Sequence, residues 1–481
     1  MPEAEAKLVA PPGFELPDLG GDGLKAEVRP VRRYTTVYWD TPDLRLAAWG
    51  SSLRHRDDEG WTVKLPPGAG SAGPMVVRDE ITFDGIPSAV PDEAAALVSP
   101  FTRGAPLAPV ARLDAVRQPV VVTSEHGGRL AEVVDDDVRI VEGGIDVDRF
   151  RELEVELLED AGDDTMDVVL DRLRQAGAIV PEGRQPGKYT RALGRRRPER
   201  TELAVKPPKA RANVARVLRA DLAAGADLLL RSLPGARLGD DPEAVHQART
   251  AVRRLRATLR LFGPYLDTAW AKGLRRELRW LAGPLGEARD AEVALARLEA
   301  GAAALPEADA VAARRLTAPY LAARDAARSR LLDTLDEGRA SALLDAIVDA
   351  VREPVVTARA GRRADDELAR LVEASWRELR QAVREAGNDP PDEVLHRIRV
   401  LARRARFAAG SAAPLAAKEA RKVAEAAATY DDVLGELFDA ALAEERLRAA
   451  AASATAPVAL AAGQLVAAER LAQRSARAGW R

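Results

Sequence analysis

An α+β chain is expected from this sequence, with a β-rich first part and an all-α second part built from a duplicated unit. Three observations predict it. Alternating segments and nearly all the turn signals fall before about residue 195. After Asn213 the chain is rich in Ala, Leu and Arg, with glycine and proline held to breaks such as Gly263-Pro264, Gly283-Pro284 and Asn388-Asp-Pro-Pro391. One basic stretch, His246 to Phe262, returns as His396 to Phe407.

At 481 residues the chain is too long for one ordinary core, so two or three domains are expected. The boundaries fall at 1–195, a charged and proline-bearing linker at 196–211, and a helical block at 212–475 with halves of about 212–345 and 346–475. The net charge of −3 gives no general attraction to nucleic acid, so any polyanion site must be a local patch. There are no cysteines, which excludes disulfides and thiolate metal sites. No apolar run reaches the ~18 residues of a membrane span, and the charged first residues are unlike a signal peptide. A cytoplasmic protein without a membrane partner is the expectation.

In the first part, Thr36–Trp39, Trp61–Lys64, Met75–Phe83, Val120–Thr123 and Arg129–Val134 read as strands, and Asp163–Ala176 as a helix. Alternation sorts charges onto faces. Glu3, Glu5 and Lys7 share one; so do Arg54 and Arg56, Arg78 and Glu80, and Glu132 with Asp136. Glu152, Glu154 and Glu156 form an acidic row opposite Leu153, Val155 and Leu157. Three carboxylates in a row repel unless a cation sits among them, and magnesium or manganese favours such hard oxygen donors together with phosphate oxygens. Paired Arg and Lys supply the phosphate donors. The geometry is either a half-exposed sheet with a solvated face or a barrel with a charged lumen.

These residues resemble the CYTH domains, the triphosphate tunnel metalloenzymes. The likeness rests on Glu3-Ala-Glu-Ala-Lys7, Tyr38-Trp-Asp-Thr-Pro42, Leu53-Arg-His-Arg56, Trp61-Thr-Val-Lys-Leu65, Arg78-Asp-Glu80, Arg117, Ala131-Glu132, the Glu152–Glu156 strand and Lys188-Tyr-Thr-Arg-Ala-Leu193. It implies an eight-stranded antiparallel β-tunnel with flanking helices that hydrolyses triphosphates with Mg2+ or Mn2+. It further implies Glu3, Glu5, Glu154 and Glu156, with Glu152 and Asp136, as metal ligands. Lys7, Arg54, Arg56, Lys64, Arg78, Arg117 and Lys188 are implied to bind phosphate, with Lys7, Arg54, Arg56, Glu154 and Lys188 as catalytic residues. Gly187 departs from the family, which usually has Ser before the Lys; strand parity selects Asp136 from Asp135-Asp136-Asp137.

In the second part, Val245, Ala248, Val252, Leu255, Leu259 and Phe262 form an apolar stripe at the helical period. Beside it run His246, Arg249, Arg253, Arg256 and Arg260, without a carboxylate from His246 to Arg260. Like charges at this spacing repel, so an anionic partner would relieve them. His246, Arg249, Arg253, Arg254 and Arg256 recur as His396, Arg399, Arg403, Arg404 and Arg406, a shift of 150 positions. The pattern resembles the CHAD domain, the conserved histidine α-helical domain associated with inorganic polyphosphate. Lys272, Arg276, Lys418, Arg421 and Lys422 add cations to the expected polyphosphate site. Asp241 before Pro242 reads as a helix N-cap, and Asp392 as its counterpart.

The expected function is metal-dependent hydrolysis of inorganic triphosphate or a related linear triphosphate, with a helical domain that captures polyphosphate. The alternatives are a non-catalytic polyphosphate-binding protein, associated with polyphosphate granules, and an adenylate cyclase-like enzyme. Nucleic acid ranks last, because the basic helices carry no interleaved aromatics for stacking bases.

Overall fold

The computed structural model describes residues 5–21, 23–66, 80–162, 164–180, 186–209, 211–413 and 417–480. Glu3, Arg78 and the side chain of Glu5 lie outside these. The chain divides into two compact units, residues 1–201 and 202–481.

The first unit is one antiparallel sheet. Its strands are β1 (Glu5–Val9), β2 (Leu24–Val28), β3 (Arg32–Asp40), β4 (Ser52–Arg56), β5 (Gly60–Lys64), β6 (Glu80–Phe83), β7 (Ala108–Ser124), β8 (Arg129–Glu142) and β9 (Ile145–Leu157). The order is β1-β9-β8-β7-β3-β4-β5-β6, with β2 paired to β7. Nine strands among the described residues thus fill the eight expected positions. The reason is the length of β7: β3 pairs along residues 108–117 and β2 along 120–124, in tandem on one edge. The sheet is tunnel-like, but no hydrogen-bonded ladder joins β1 to β6 among the described residues. The β8–β9 hairpin turns on Gly143 and Gly144, both at positive φ (58° and 83°). A two-residue turn of this hand needs that conformation at both positions, and glycine adopts it without Cβ strain.

Helices α1 (Arg45–Trp49), α2 (Asp92–Thr102), α3 (Thr165–Gln175) and α4 (Lys188–Leu193) flank the sheet. Val169 and Leu173 of α3 cover the outer, apolar face, where Leu8, Val120, Val122, Val133, Leu153 and Val155 are buried. Tyr189, Ala192 and Leu193 of α4 pack on the opposite face against Tyr34, Tyr38, Ala115 and Val138. The Tyr189 ring stacks on Tyr38 with centroids 4.5 Å apart, and its hydroxyl donates to Asp40 at 2.7 Å. That anchor fixes where Lys188, the first residue of α4, projects.

The second unit holds α5 (Val214–Leu238), α6 (Pro242–Leu261), α7 (Thr268–Ala303), α8 (Glu307–Ala313), α9 (Thr317–Asp336), α10 (Gly338–Arg352), α11 (Ala364–Glu385), α12 (Asp392–Ala412), α13 (Ala417–Ala451) and α14 (Ala456–Gly479). The stripe expected on α6 is buried from Val245 to Leu259. Asn213, Asp241 and Asp267 cap α5, α6 and α7 through their side chains. The second copy departs from this: Pro391 is the N-cap of α12, and Asp392 lies inside its first turn without capping it. The Asp392 carboxylate pairs instead with Arg477 of α14. No helix among the described residues is long and apolar enough to cross a membrane.

The duplication is also a symmetry. Val214 N–H donates to Arg362 O at 3.0 Å, and Ala364 N–H donates to Ala212 O at 2.9 Å. Each residue of one bond lies 150 positions from its counterpart in the other. Reciprocal pairing of equivalent residues is the mark of a twofold axis.

Candidate functional sites: a charged strand face and a cationic cleft

Register places the charges of the first unit in rows across one sheet face, because directly paired residues point the same way. One row runs Glu156, Glu132, with the Glu5 backbone paired to Glu156; the next runs Lys7, Glu154; the third runs Glu152, Asp136, Arg117, Arg32. Arg54, Arg56, Lys64 and Glu80 continue the face through β4, β5 and β6. Asp135 and Asp137 point the other way and pair with Arg151 and Arg149, so Asp136 alone of the three joins the cluster.

Lys188 stands at the centre. Its Nζ lies 2.6 Å from Asp136 Oδ2, 3.0 Å from Glu152 Oε1 and 3.1 Å from Glu154 Oε1. Arg117 grips both oxygens of Asp136 at 2.8 and 2.6 Å and reaches Glu154 Oε2 at 3.4 Å. Lys7 pairs with Glu154. Burial by itself raises the Glu154 carboxyl, but Lys188, Lys7 and Arg117 outweigh it and hold the group well below the usual carboxylate range. The same contest lowers Asp136, where Arg117 and Lys188 prevail. In Glu152 burial wins, aided by the Glu154 charge, and its pKa is raised. Lys188, despite its burial, is raised well above an ordinary lysine by its three carboxylates.

Toward β4 the cations dominate. Arg56 stacks over the Tyr34 ring at 4.0 Å. Arg54 lies 3.8 and 3.7 Å from Glu59 and Glu80, and Lys64 pairs with Glu80. On this face the buried Arg54 Nε has no hydrogen bond among the described residues, whereas Glu152 Oε1 has the Lys188 ammonium at 3.0 Å. A buried donor left unmatched on a charged face suits an anionic ligand. No three metal-ligating side chains are preassembled among the described residues. The donor set nevertheless fits a hard divalent ion, because Glu132, Glu152, Glu154 and Glu156 present only carboxylate oxygens on one face of β8 and β9. Tyr34, Asp58 and Glu59 also belong to this face and were not anticipated. Strand parity from Arg32 could have found Tyr34; nothing local marks the turn acids. His55, by contrast, packs edge-on against Trp61 and is structural.

In the second unit a cleft of about 260 Å3 is lined by His246, Arg249 and Arg253 of α6, Arg289, Asp290 and Arg297 of α7, Arg399 and Arg403 of α12, and Asp439 and Arg446 of α13. Of the repeated residues, His246, Arg249, Arg253, Arg399 and Arg403 line it. His396 does not: it is exposed and stacks edge-on against Phe438. Arg289, Arg297 and Arg446 were missed because they lie outside the repeated motif. The 149-residue shift relating Asp290 to Asp439 also relates Arg297 to Arg446, and was the available signal.

The remaining cations are dispersed. Arg254 lies 3.7 Å from Asp221 and Arg404 3.7 Å from Glu378, while Arg276 pairs with Glu277. Lys272, Arg276, Lys418, Arg421 and Lys422 are exposed and do not line the cleft. Arg256 neighbours Arg275 and Arg279, and burial together with their charges lowers its pKa.

The cleft is electrostatically lopsided. Asp431 of α13 serves Arg403 at 2.6 Å, Arg399 at 3.5 Å and Arg406 at 3.8 Å. Arg249 pairs with Asp290 at 2.5 Å. Arg253 makes no hydrogen bond or ion pair among the described residues. Burial, then the charges of Arg403, Arg249 and Arg399, bring its pKa down to about 10 against the partial opposition of Asp431, which leaves it cationic at neutral pH.

His246 is lowered first by burial, then by Arg289, Arg253 and Arg249, with Glu243 opposing. A base depressed in the fold contributes stability above its unfolded pKa of about 6.5 and loses it as pH falls through the folded value. Wild-type protein is therefore expected to lose more thermal stability below about pH 6.5 than His246→Asn. Equal pH profiles by calorimetry would show that His246 stays solvated.

A charged tunnel-like sheet followed by a duplicated helical unit with a cationic cleft defines a two-part architecture. The CYTH domain family matches residues 1–177 and the CHAD domain family residues 220–448. A Mycobacterium tuberculosis protein is 31% identical over 474 residues, spanning 89% of this chain and 84% of its own length. The chain belongs to the family of proteins that join a CYTH domain to a CHAD domain. Human thiamine-triphosphatase is 42% identical over 84 residues, 17% of this chain and 34% of that enzyme. A crystal structure of the CHAD domain from the plant Ricinus communis aligns at 25% identity with a TM-score of 0.45, covering 58% of this chain and 96% of that one.

Proposed function

We propose that the first unit hydrolyses inorganic triphosphate or a related linear triphosphate with magnesium or manganese, and that the second unit holds polyphosphate in its cleft. The observation that carries the first reading is the sorting of one sheet face. Carboxylates of β8 and β9 meet cations from β1, β7 and α4, and Arg54, Arg56 and Lys64 of β4 and β5 continue the same face. The family's general dependence on divalent metal and the partial likeness to thiamine-triphosphatase support it.

Glu5, Glu156, Glu154 and Glu152 would hold the metal, with Asp136 beside them. A bound divalent ion supplies charge that offsets phosphate oxygens and polarises water. The protein's own groups do the rest. Arg54, Arg56 and Lys64 orient the phosphate chain, and their fixed positive charge favours the transition state in which oxygen charge develops. Lys188 and Arg117 keep Glu154 and Asp136 ionised, so that both are ready acceptors at neutral pH. Tyr34 holds the Arg56 plane from beneath.

The test is phosphate release from tripolyphosphate, thiamine triphosphate, ATP and long-chain polyphosphate, with Mg2+, with Mn2+ and with EDTA. Release from a linear triphosphate that EDTA abolishes is the expected result. No release from any of the four with either metal would leave a binding protein.

A further inference from the structure

We propose that the acidic turn between β4 and β5 is a built-in competitor for the phosphate-binding guanidinium groups, and that it sets how much charge a ligand must carry to be held. The inference rests on the reading that Arg54 and Arg56 bind phosphate.

The turn is Asp57-Asp58-Glu59, between Arg56 at the end of β4 and Gly60 at the start of β5. Asp57 tethers it: its carboxylate accepts the Thr35 N–H at 3.0 Å, and its own N–H donates to Thr35 O at 3.2 Å. Asp58 and Glu59 are thereby held over the tunnel arginines. Asp58 Oδ1 accepts Arg56 Nε–H at 2.6 Å and its Oδ2 accepts Arg56 Nη2–H at 3.3 Å. Glu59 pairs with the same Nη2, and Asp58 Oδ2 also takes Arg32 at 2.5 Å. Glu59 Oε2 lies 3.8 Å from Arg54.

The Nε/Nη2 edge of Arg56 is therefore occupied in the bidentate manner that a phosphate would use. The exposures of the partners are unequal. The Arg56 side chain is 4% exposed, whereas Asp58 and Glu59 are 26% and 36% exposed. Arg56 cannot exchange its carboxylates for water without leaving a buried charge unmatched. The turn carboxylates can return to solvent cheaply. Displacement thus favours a ligand that replaces both carboxylates at once, with more charge and a second contact at Arg54 or Lys64. A tripolyphosphate meets that condition; orthophosphate does not, and pyrophosphate meets it less well. The turn acts as a threshold that rejects short phosphates, including hydrolysis products, and Asp58 and Glu59 are specificity-determining residues.

The experiment compares the full chain with Asp58→Asn/Glu59→Gln, using KM for tripolyphosphate, Ki for pyrophosphate and orthophosphate, and equilibrium binding of all three. Removing the competitor should lower KM for tripolyphosphate about tenfold at nearly unchanged kcat, and lower the pyrophosphate Ki by more. In an Arg56→Gln background the same pair of changes should have little effect, since the competition is for Arg56. Asp58→Asn alone serves if the double variant fails to fold by circular dichroism. A raised KM would mean that the turn positions Arg56, and an unchanged KM that it does nothing; either overturns the proposal. A gain that persists with Arg56→Gln would be long-range charge, and overturns it too. A wild type without turnover, but with the affinity shift intact, sinks the hydrolase reading alone. Turnover without the shift sinks this inference alone, and absence of tripolyphosphate binding in both proteins sinks both.

Discussion

Glu154→Gln should lower tripolyphosphate turnover by at least about 100-fold, the loss typical when a preorganised catalytic charge is removed. Glu154 is the carboxylate on which the tunnel cations converge: Lys7 pairs with it, Lys188 lies at 3.1 Å and Arg117 at 3.4 Å. The amide keeps the size and removes the charge, so on the proposed reading a bound metal would lose a ligand, while three cations lose a shared anion. Stability should change far less than rate, because Lys188 keeps Asp136 and Glu152 and Arg117 keeps its bidentate grip on Asp136. Steady-state kinetics beside a thermal melt separate the two effects. Wild-type turnover in a folded variant would remove Glu154 from the mechanism.

Arg253→Glu with Arg403→Glu is expected to abolish long-chain polyphosphate binding and to leave tripolyphosphate hydrolysis nearly intact. The two residues are equivalent by the 150-position repeat but not by environment. Arg403 already has Asp431 at 2.6 Å, whereas Arg253 has no ionic partner among the described residues. The single change at Arg253 should therefore cost more affinity than the single change at Arg403. Wild-type binding should also weaken steeply with salt, by analogy with counterion release from nucleic acids. A filter-binding titration across salt concentrations checks both points. Unchanged affinity in the double variant would make these arginines a solvated helix face.

How much of this was legible in the sequence follows from what kind of contact each residue makes. Period-two alternation put Glu152, Glu154 and Glu156 on one face and singled out Asp136, because parity is local. The helical stripe from Val245 to Leu259 was legible for the same reason. The repeat brought Arg249, Arg253, Arg399 and Arg403 to one cleft, since equivalent helices pack equivalently. What failed was what depends on partners far along the chain. Asp392 looks like a cap until Arg477, 85 residues on, takes its carboxylate. His396 looks like His246 until Phe438 stands beside it. Lys272 and Lys418 have the composition of a site and point into solvent. The turn acids at Asp58 and Glu59 gave no sign, because their meaning depends on three arginines, one of them a strand away.

The paired bonds between residues 212–214 and 362–364 bear on the direction in which a ligand can lie. A cleft that brings together Arg249 with Arg399, Arg253 with Arg403 and Arg297 with Arg446 offers almost the same contacts from either end. If polyphosphate binds here as proposed, a linear phosphate chain, which reads identically forwards and backwards, would enter in two orientations that satisfy nearly the same guanidinium groups. A nucleic acid strand has chemically different ends and loses that equivalence. The departures from symmetry, Asp431 on one side and His246 on the other, then become the features that would make one half of a bound chain sit differently from its mirror half.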